Sequence, residues 1–177
     1  VGEIYMNDSL GNPDPTYYNA VHWDGQEWEL KKIGNQGGWA CHTVFAFSAT
    51  EVWFEGVIKW DGVNYSVHNN GFPKEPNGDG WRINKMWGSS SSDLYVVGNN
   101  GNIAYYNGGS WTKIESRTTL NVNDIWGINN SDNNGLVLCT ATDLFTNNER
   151  KLLRIKNDLS VDTIGWQPNE ILMSVWF

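Results

Sequence analysis

The sequence predicts an all-β fold assembled from repeated small sheets. Three observations predict it: a segment recurs at shifts of 42 and 39 residues, a turn signature recurs with it, and the 177 residues include 19 glycines but only 18% charged residues. Glycine-containing turns between short β-rich runs suit strands better than exposed helices. No stretch is long and apolar enough to span a bilayer as a helix.

The recurring segment is an apolar residue, an aromatic, a small residue, a polar run and an acidic residue, followed by a β-rich stretch. Its clearest copy covers residues 86–98. An earlier copy aligns at a shift of 42 residues, with Phe45 in place of Trp87, and a later copy aligns at a shift of 39, with Trp126 there. Several short strands repeated at this period are typical of a β-propeller. The sequence therefore predicts an all-β β-propeller with about four blades present.

A hairpin signature accompanies the repeat, in which Asp or Asn and then Gly lie between two aromatic residues. It occurs at residues 23–28, 60–65 and 106–111. Asp-Gly and Asn-Gly are strong hairpin signals because both residues tolerate positive φ. The flanking aromatics are predicted to be cross-strand neighbours. In the fourth copy, at residues 153–158, the aromatics are absent and only the apolar alternation remains.

Each copy predicts one blade of four strands, which in the third copy are residues 84–87, 94–97, 102–106 and 110–115. The predicted organisation is a partial blade at 1–36, blades at 37–78, 79–117 and 118–168, and the start of a further blade at 169–177. Residues 171–177 could complete the first blade beside residues 1–6 and close a four-bladed ring. The favoured alternative is a segment excised from a larger propeller, since about six to eight blades are more usual.

Residues 87–98 and 101–111, which read WGSSSSDLYVVG and GNIAYYNGGSW, resemble blades of a known family. This family consists of secreted or lipid-anchored bacterial β-propeller proteins. Its blades carry W-G-S, then D-[VL]-[WY]-A-V-G, then G-x-I-x-H-[YW]-[DN]-G-x-x-W. The resemblance implies a propeller fold and a place outside the cytoplasm. Members are often named glucosyltransferases, an activity that no motif of this chain supports.

Charge and motifs exclude several function classes. A net charge of −8 and a pI near 4.7 oppose binding to nucleic acid or an anionic membrane. The three histidines have no metal-ligand spacing, and no phosphate-binding, dinucleotide-binding or G-x-S-x-G motif occurs. Cys41 and Cys139 lie about two repeats apart and are predicted to be buried thiols rather than a disulfide. No cofactor or metal is expected.

The eleven tryptophans supply the candidate ligand-binding residues. Those at equivalent places in several copies are predicted to pack between blades: Trp28, Trp87, Trp111 and Trp126. Aromatic rings bind the flat apolar faces of sugars. The better candidates for such platforms are Trp23 and Trp60, which precede Asp-Gly turns, and the unmatched Trp166.

Acidic residues give weaker signals. Within residues 129–135, Asn130, Asp132, Asn134 and Gly135 match the first half of a calcium-binding loop, but the twelfth position counted from Asn130 is Ala141 instead of Glu. A divergent loop between strands explains this segment better. The turn itself explains Asp24 and Asp61, so neither is a good catalytic candidate.

The function predicted from the sequence is a non-catalytic binding module on an extracytoplasmic surface. It would recognise a carbohydrate or a protein partner at one face of the propeller. The alternative is a glycan-active enzyme, a glycoside hydrolase or a glycosyltransferase-like protein, because a propeller can bring distant carboxylates together at its axis. A structural spacer is a third interpretation. The oligomeric state is left open.

Overall fold

The computed structural model describes residues 1–35, 39–128, 135–143, 149–165 and 172–177. Within these ranges the chain is all-β: the strands form antiparallel sheets of two or four strands, and no α-helix is present. The predicted all-β class is confirmed. The chain divides into two compact units, Val1–His68 and Asn69–Phe177.

The first unit holds a hairpin and a four-stranded sheet. The hairpin pairs β1 (Ala20–Trp23) with β2 (Trp28–Lys31). An isolated bridge between Ile4 and Tyr18 extends it on the N-terminal side. The four-stranded sheet contains, in spatial order, β3 (Val44–Ser48), β4 (Glu51–Phe54), β5 (Ile58–Trp60) and β6 (Tyr65–Val67).

The core of the first unit gathers one face of the hairpin, the segment that follows it and one face of the four-stranded sheet. Its buried members are Ala20, Ile33, Cys41 and Phe54, and the half-buried residues packed against them are Trp39, Val52, Ile58, Trp60 and Tyr65. Alternate residues of a strand point to the same face of its sheet. Val52 and Phe54 of β4 therefore share this face with their cross-strand partners in β5, which are Trp60 and Ile58 respectively.

The second unit holds two four-stranded sheets, each with its strands in sequence order. The first contains β7 (Ile83–Ser90), β8 (Asp93–Gly98), β9 (Ile103–Tyr106) and β10 (Trp111–Ile114). The second contains β11 (Asn121–Ile128), β12 (Leu136–Thr142), β13 (Arg150–Ile155) and β14 (Val161–Ile164). The four strands predicted for the third copy of the repeat are all present, with ends shifted by a few residues.

The two sheets of the second unit pack face to face, with β7 and β8 against β11. The Trp87 indole, 6% exposed, lies directly over Gly127. At one end of this contact, Asn84 Nδ2 donates a hydrogen bond to the backbone oxygen of Val122 at 3.0 Å. The prediction that Trp87 is a packing residue between repeated sheets is confirmed.

The C-terminal residues depart from the sequence prediction of a terminal strand at 171–177. Residue 171 lies outside the described ranges, and residues 172–177 form no strand. Instead, the Val175 N–H donates a hydrogen bond to Asp124 Oδ2 at 2.9 Å. Asp124 is 8% exposed and also lies 3.6 Å from the Lys85 ammonium. A buried carboxylate needs such donors, and this requirement holds Val175 beside β11.

Cys41 and Cys139 are free thiols, and both are buried. Burial, reinforced by the negative charge of Glu55, raises the pKa of Cys41 to about 12. Burial and then the charge of Asp124 raise the pKa of Cys139. Because the thiolate is the reactive form, the folded protein should hold both thiols unreactive.

We therefore expect neither cysteine of the folded protein to react with a disulfide reagent at pH 8, and both to react in denaturant. The raised pKa values also make the free energy of unfolding fall as the pH rises above about 8.5, where thiols of the unfolded chain ionise. Urea denaturation at pH 8 and pH 10 measures this loss. A Cys41→Ala, Cys139→Ala protein should lose less stability over the same interval, and an equal loss would contradict the assignment.

Candidate functional site

The three hairpin signatures form turns of one design. In the first, Asp24 Oδ1 accepts hydrogen bonds from the N–H groups of Gln26 and Glu27 at 2.7 and 2.8 Å, and Gly25 has a φ of 103°. The same arrangement recurs in the other hairpins at Asp61-Gly62 and Asn107-Gly108. These hydrogen bonds lower the pKa of the Asp24 and Asp61 carboxyls. The glycine alone adopts positive φ, while the Asp or Asn contributes its side-chain oxygen.

The aromatic residues beside each turn are cross-strand neighbours, as predicted. Trp23 and Trp28 have ring centroids 5.2 Å apart and are 46% and 69% exposed. Trp60 contacts Tyr65 at 4.8 Å and is half-buried against the core of the first unit. Of the three predicted sugar platforms, Trp23 is therefore accessible, Trp60 offers little free ring surface, and Trp166 lies outside the described residues.

The corresponding pair of the second unit, Tyr106 and Trp111, is 3% and 4% exposed. Part of its cover comes from the segment that precedes β7. Phe72 packs edge-on against Trp111 with centroids 5.1 Å apart, and the Trp111 N–H donates a hydrogen bond to the backbone oxygen of Asn70 at 2.9 Å. This hairpin position is thus a packing position in the repeat. Trp28, predicted to pack like its equivalent Trp111, is exposed because nothing in the described part of the first unit covers it.

A groove of about 310 Å³ lies between the two sheets of the second unit; we call it the inter-sheet groove. One wall comes from the sheet β7–β10 and is aromatic, whereas the opposite wall comes from β11–β14 and is mostly aliphatic. The lining residues are Trp87, Asp93, Tyr95, Tyr105, Ile128, Gly135, Val137, Ile155, Lys156, Asn157 and Leu159.

The aromatic wall is a row of three rings on neighbouring strands. Trp87 is the cross-strand partner of Tyr95, and Tyr95 is the partner of Tyr105. The centroids are 6.0 Å apart with an interplanar angle of 30° for the first pair, and 4.8 Å apart at 45° for the second. Directly opposed residues point to the same side of a sheet, so register alone aligns these rings. Tyr105 is the most exposed of the three.

Polar groups border this row. The Ser89 hydroxyl donates a hydrogen bond to the Asp93 carboxylate. Burial, then the charge of Asp93 and a hydrogen bond to it, raises the pKa of Tyr105. Lys156, in the opposite wall, forms an ion pair with Asp162 at 2.7 Å. The groove therefore presents a row of tilted aromatic rings, of which Tyr105 is the most exposed, beside a carboxylate, and its lysine is paired with Asp162.

A second cleft, of about 370 Å³, lies near the turn after β10. Two of its three basic residues are in ion pairs within the cleft: Lys113 lies 3.1 Å from Glu115, and Lys151 lies 3.1 Å from Glu149. Arg117 is the third basic residue, and none of the described lining residues is aromatic. Because this cleft offers no stacking surface, the inter-sheet groove is the stronger candidate site.

Sequence reasoning missed the inter-sheet groove. It treated Trp87 as a packing residue and did not single out Tyr95 or Tyr105. The pairing register of the three predicted strands could have revealed the aromatic row. Antiparallel pairing of these strands in sequence order places the three aromatics side by side. The residues of the opposite wall carried no comparable signal.

Neither a metal centre nor a membrane-spanning helix is found among the described residues. No three His, Cys, Asp or Glu side chains there come together in a way that could hold a metal ion. Nor does that part of the chain contain a helix with the length and apolarity needed to cross a membrane. Of the calcium-like segment at 129–135, residues 129–134 lie outside the described ranges.

Comparison of the chain with protein-family models, with curated proteins and with solved structures gives no match.

Proposed function

We propose that this chain is a non-catalytic binding module of the β-propeller type that recognises a neutral carbohydrate at the inter-sheet groove. The observation that carries the proposal is the row of Trp87, Tyr95 and Tyr105 beside the Asp93 carboxylate. Aromatic faces bind the apolar faces of pyranose rings, and a carboxylate accepts hydrogen bonds from sugar hydroxyls.

Several features support the propeller architecture. Each complete repeat forms an antiparallel sheet whose four strands follow sequence order. In the second unit, the first strands of two successive sheets, β7 and β11, lie next to each other. Stacked sheets with neighbouring first strands are the building plan of a propeller. A place outside the cytoplasm belongs to the same proposal and rests on the family resemblance of residues 87–111.

The charge of the groove favours a neutral ligand. Asp93 is its acidic lining residue, and its basic residue, Lys156, is paired with Asp162. An anionic ligand would meet the Asp93 carboxylate and the net charge of −8 without a free cation in the described lining. A quaternary ammonium ligand needs rings arranged as a cage, whereas these rings form a row. The volume of about 310 Å³ suits a small ligand.

The number of carboxylates in the groove favours a binding role over glycoside hydrolysis. That reaction uses a pair of carboxyl groups about 5 to 9.5 Å apart on either side of the scissile bond. Asp93 is the one acidic residue among the described lining residues. If the chain is instead a glycan-active enzyme, it should turn over activated glycosides. A binding module should not.

Calorimetric titration with neutral oligosaccharides chosen from a glycan array tests the proposal. We expect Tyr105→Ala to weaken binding about two- to twelvefold, because an aromatic stacking contact contributes roughly 0.5–1.5 kcal/mol. Tyr105→Phe keeps the ring and should lose less. Tyr5→Ala removes an exposed tyrosine of the first unit and serves as the matched control.

The same titration decides between the groove and the platform predicted from the sequence. If Trp23→Ala abolishes binding and Tyr105→Ala leaves it unchanged, the groove assignment is wrong and the hairpin is the site. If no neutral sugar binds at millimolar concentration, carbohydrate recognition itself is rejected.

A further inference from the structure

The aromatic row of the inter-sheet groove occupies a register position that each described four-stranded sheet contains. In the first unit, cross-strand pairing joins Phe45 to Trp53 and Trp53 to Lys59. In the sheet β11–β14, the same pairing starts at an aromatic residue of the first strand and reaches Arg154 on the third. The third member of the row is therefore basic in these two sheets, whereas it is Tyr105 in the sheet β7–β10.

This difference changes the partner of the acidic residue beside the row. In the first unit that residue is Glu51, which aligns with Asp93 at the shift of 42 residues. The Lys59 ammonium donates a hydrogen bond to Glu51 Oε1 at 2.6 Å, so the row itself neutralises this carboxylate. With Tyr105 in place of a lysine, Asp93 has no ion pair within the part of the chain that the structure describes.

Hydroxyl groups hold the Asp93 carboxylate instead of a cation. Ser89 donates a hydrogen bond to Asp93 Oδ2, and the Tyr105 phenol donates another to the same carboxylate. An ionised carboxylate offers about four acceptor positions on its two oxygens. About two positions are therefore left for a ligand. Asp93 is half-buried and lines the groove, so a sugar stacked on Tyr105 lies beside these positions.

We propose that Asp93 determines the sugar specificity of the inter-sheet groove by accepting hydrogen bonds from two adjacent hydroxyls of one sugar ring, and that Ser89 positions the carboxylate. This inference rests on the proposed function, because it concerns how the same groove selects among neutral sugars. Stacking on the aromatic row requires only the apolar faces of a ring. The carboxylate adds a requirement for free hydroxyls, since a site that hydrogen-bonds a hydroxyl rejects an analogue that lacks it.

Calorimetric titration with four pairs of sugars tests this inference. The probes are the β-1,4-linked disaccharides cellobiose, mannobiose, xylobiose and galactobiose, whose rings carry adjacent free hydroxyls at C2 and C3, and the derivative of each with both hydroxyls methylated on both rings. We expect the wild-type protein to bind at least one disaccharide, and to bind its methylated derivative about tenfold or more weakly. Hydrogen bonds to a charged acceptor contribute an effect of that size.

Two substitutions separate the hydroxyl contacts from the rest of the groove. Asp93→Asn replaces one acceptor oxygen with a donor, so it should weaken binding of the disaccharide about tenfold and leave the methylated derivative unaffected. Ser89→Ala should weaken binding of the disaccharide about fivefold, again without effect on the derivative. If Ser89 acts through Asp93, it should add no further loss in the double variant. Circular dichroism of each variant verifies that the β-fold is retained.

Ser66→Ala is the matched control for Ser89→Ala. Ser66 is an exposed strand serine of the first unit, and its hydroxyl forms one side-chain hydrogen bond, to His68 Nε2 at 2.9 Å. This variant should bind both sugars of each pair as the wild-type protein does. A general structural effect of losing a strand hydroxyl would instead weaken both sugars alike in Ser89→Ala.

Equal affinity of the wild-type protein for a disaccharide and its methylated derivative overturns the inference, and so does an equal loss for both sugars in Ser89→Ala. The inference is also wrong if Asp93→Asn still discriminates between them, or if none of the four disaccharides binds while another neutral oligosaccharide does. Each of these results leaves the proposed function standing. Failure of every neutral sugar to bind rejects the proposed function as well, so the two outcomes are distinct.

Discussion

Gly127→Ala is expected to lower the free energy of unfolding by about 1–3 kcal/mol, because overpacking between well-packed elements costs about that much. A methyl carbon at this position would lie 2.5 to 2.8 Å from three carbons of the Trp87 indole. Trp87 is 6% exposed and lies between two sheets, so it has little room to move away. Urea denaturation followed by circular dichroism measures the difference in the free energy of unfolding between this variant and the wild-type protein.

A double-mutant cycle connects this cost to the packing of the two sheets. Trp87→Phe shortens the aromatic side chain that meets residue 127, so it should recover part of the loss when combined with Gly127→Ala. Gly80→Ala is the control, because a methyl carbon there meets no atom within 4 Å. Strictly additive costs for Trp87→Phe and Gly127→Ala would show that these residues do not pack against each other.

Gly101→Ala should destabilise the protein by more than about 3 kcal/mol, since it combines a close contact with an unfavourable backbone conformation. Gly101 has a φ of 73°, and a methyl carbon there would lie 1.9 Å from the backbone oxygen of Thr118. The obstacle is main chain, which cannot rotate away as a side chain can. The same denaturation measurement applies.

Gly109→Ala is the matched control for this substitution. Gly109 lies in the hairpin after β9, and its nearest obstacle to a methyl carbon is Asn107 Oδ1 at 3.7 Å. A change within about 0.5 kcal/mol is expected. Equal stability of the two variants would mean that the turn at Gly101 does not lie against Thr118.

The sequence predicted the local features of the fold because they depend on neighbouring residues. The hairpin at Asp24-Gly25 needs only a glycine with positive φ and a side-chain oxygen beside it. The strands around Tyr95 follow from the repeat and its β-rich composition. These signals act within a few residues, so they are visible in the sequence.

Contacts between distant segments were not predictable in the same way. The inter-sheet groove brings Tyr105 close to Lys156, and nothing in the local pattern of either residue indicates the other. The exposure of Trp28 depends on whether a further surface covers its hairpin. The position of Val175 depends on the buried Asp124 carboxylate, which is a requirement of packing rather than of local preference.

The central claim is that sheets of the repeat stack face to face, because the inter-sheet groove exists only between stacked sheets. Nuclear Overhauser effects between the Trp87 indole protons and the Gly127 α-protons test it most directly. The account predicts strong cross-peaks from the six-membered ring of the indole to the Gly127 α-proton that points in the direction of a Cβ. Their absence, with Trp87 instead contacting residues of its own sheet alone, would contradict the stacking and remove the site built on it.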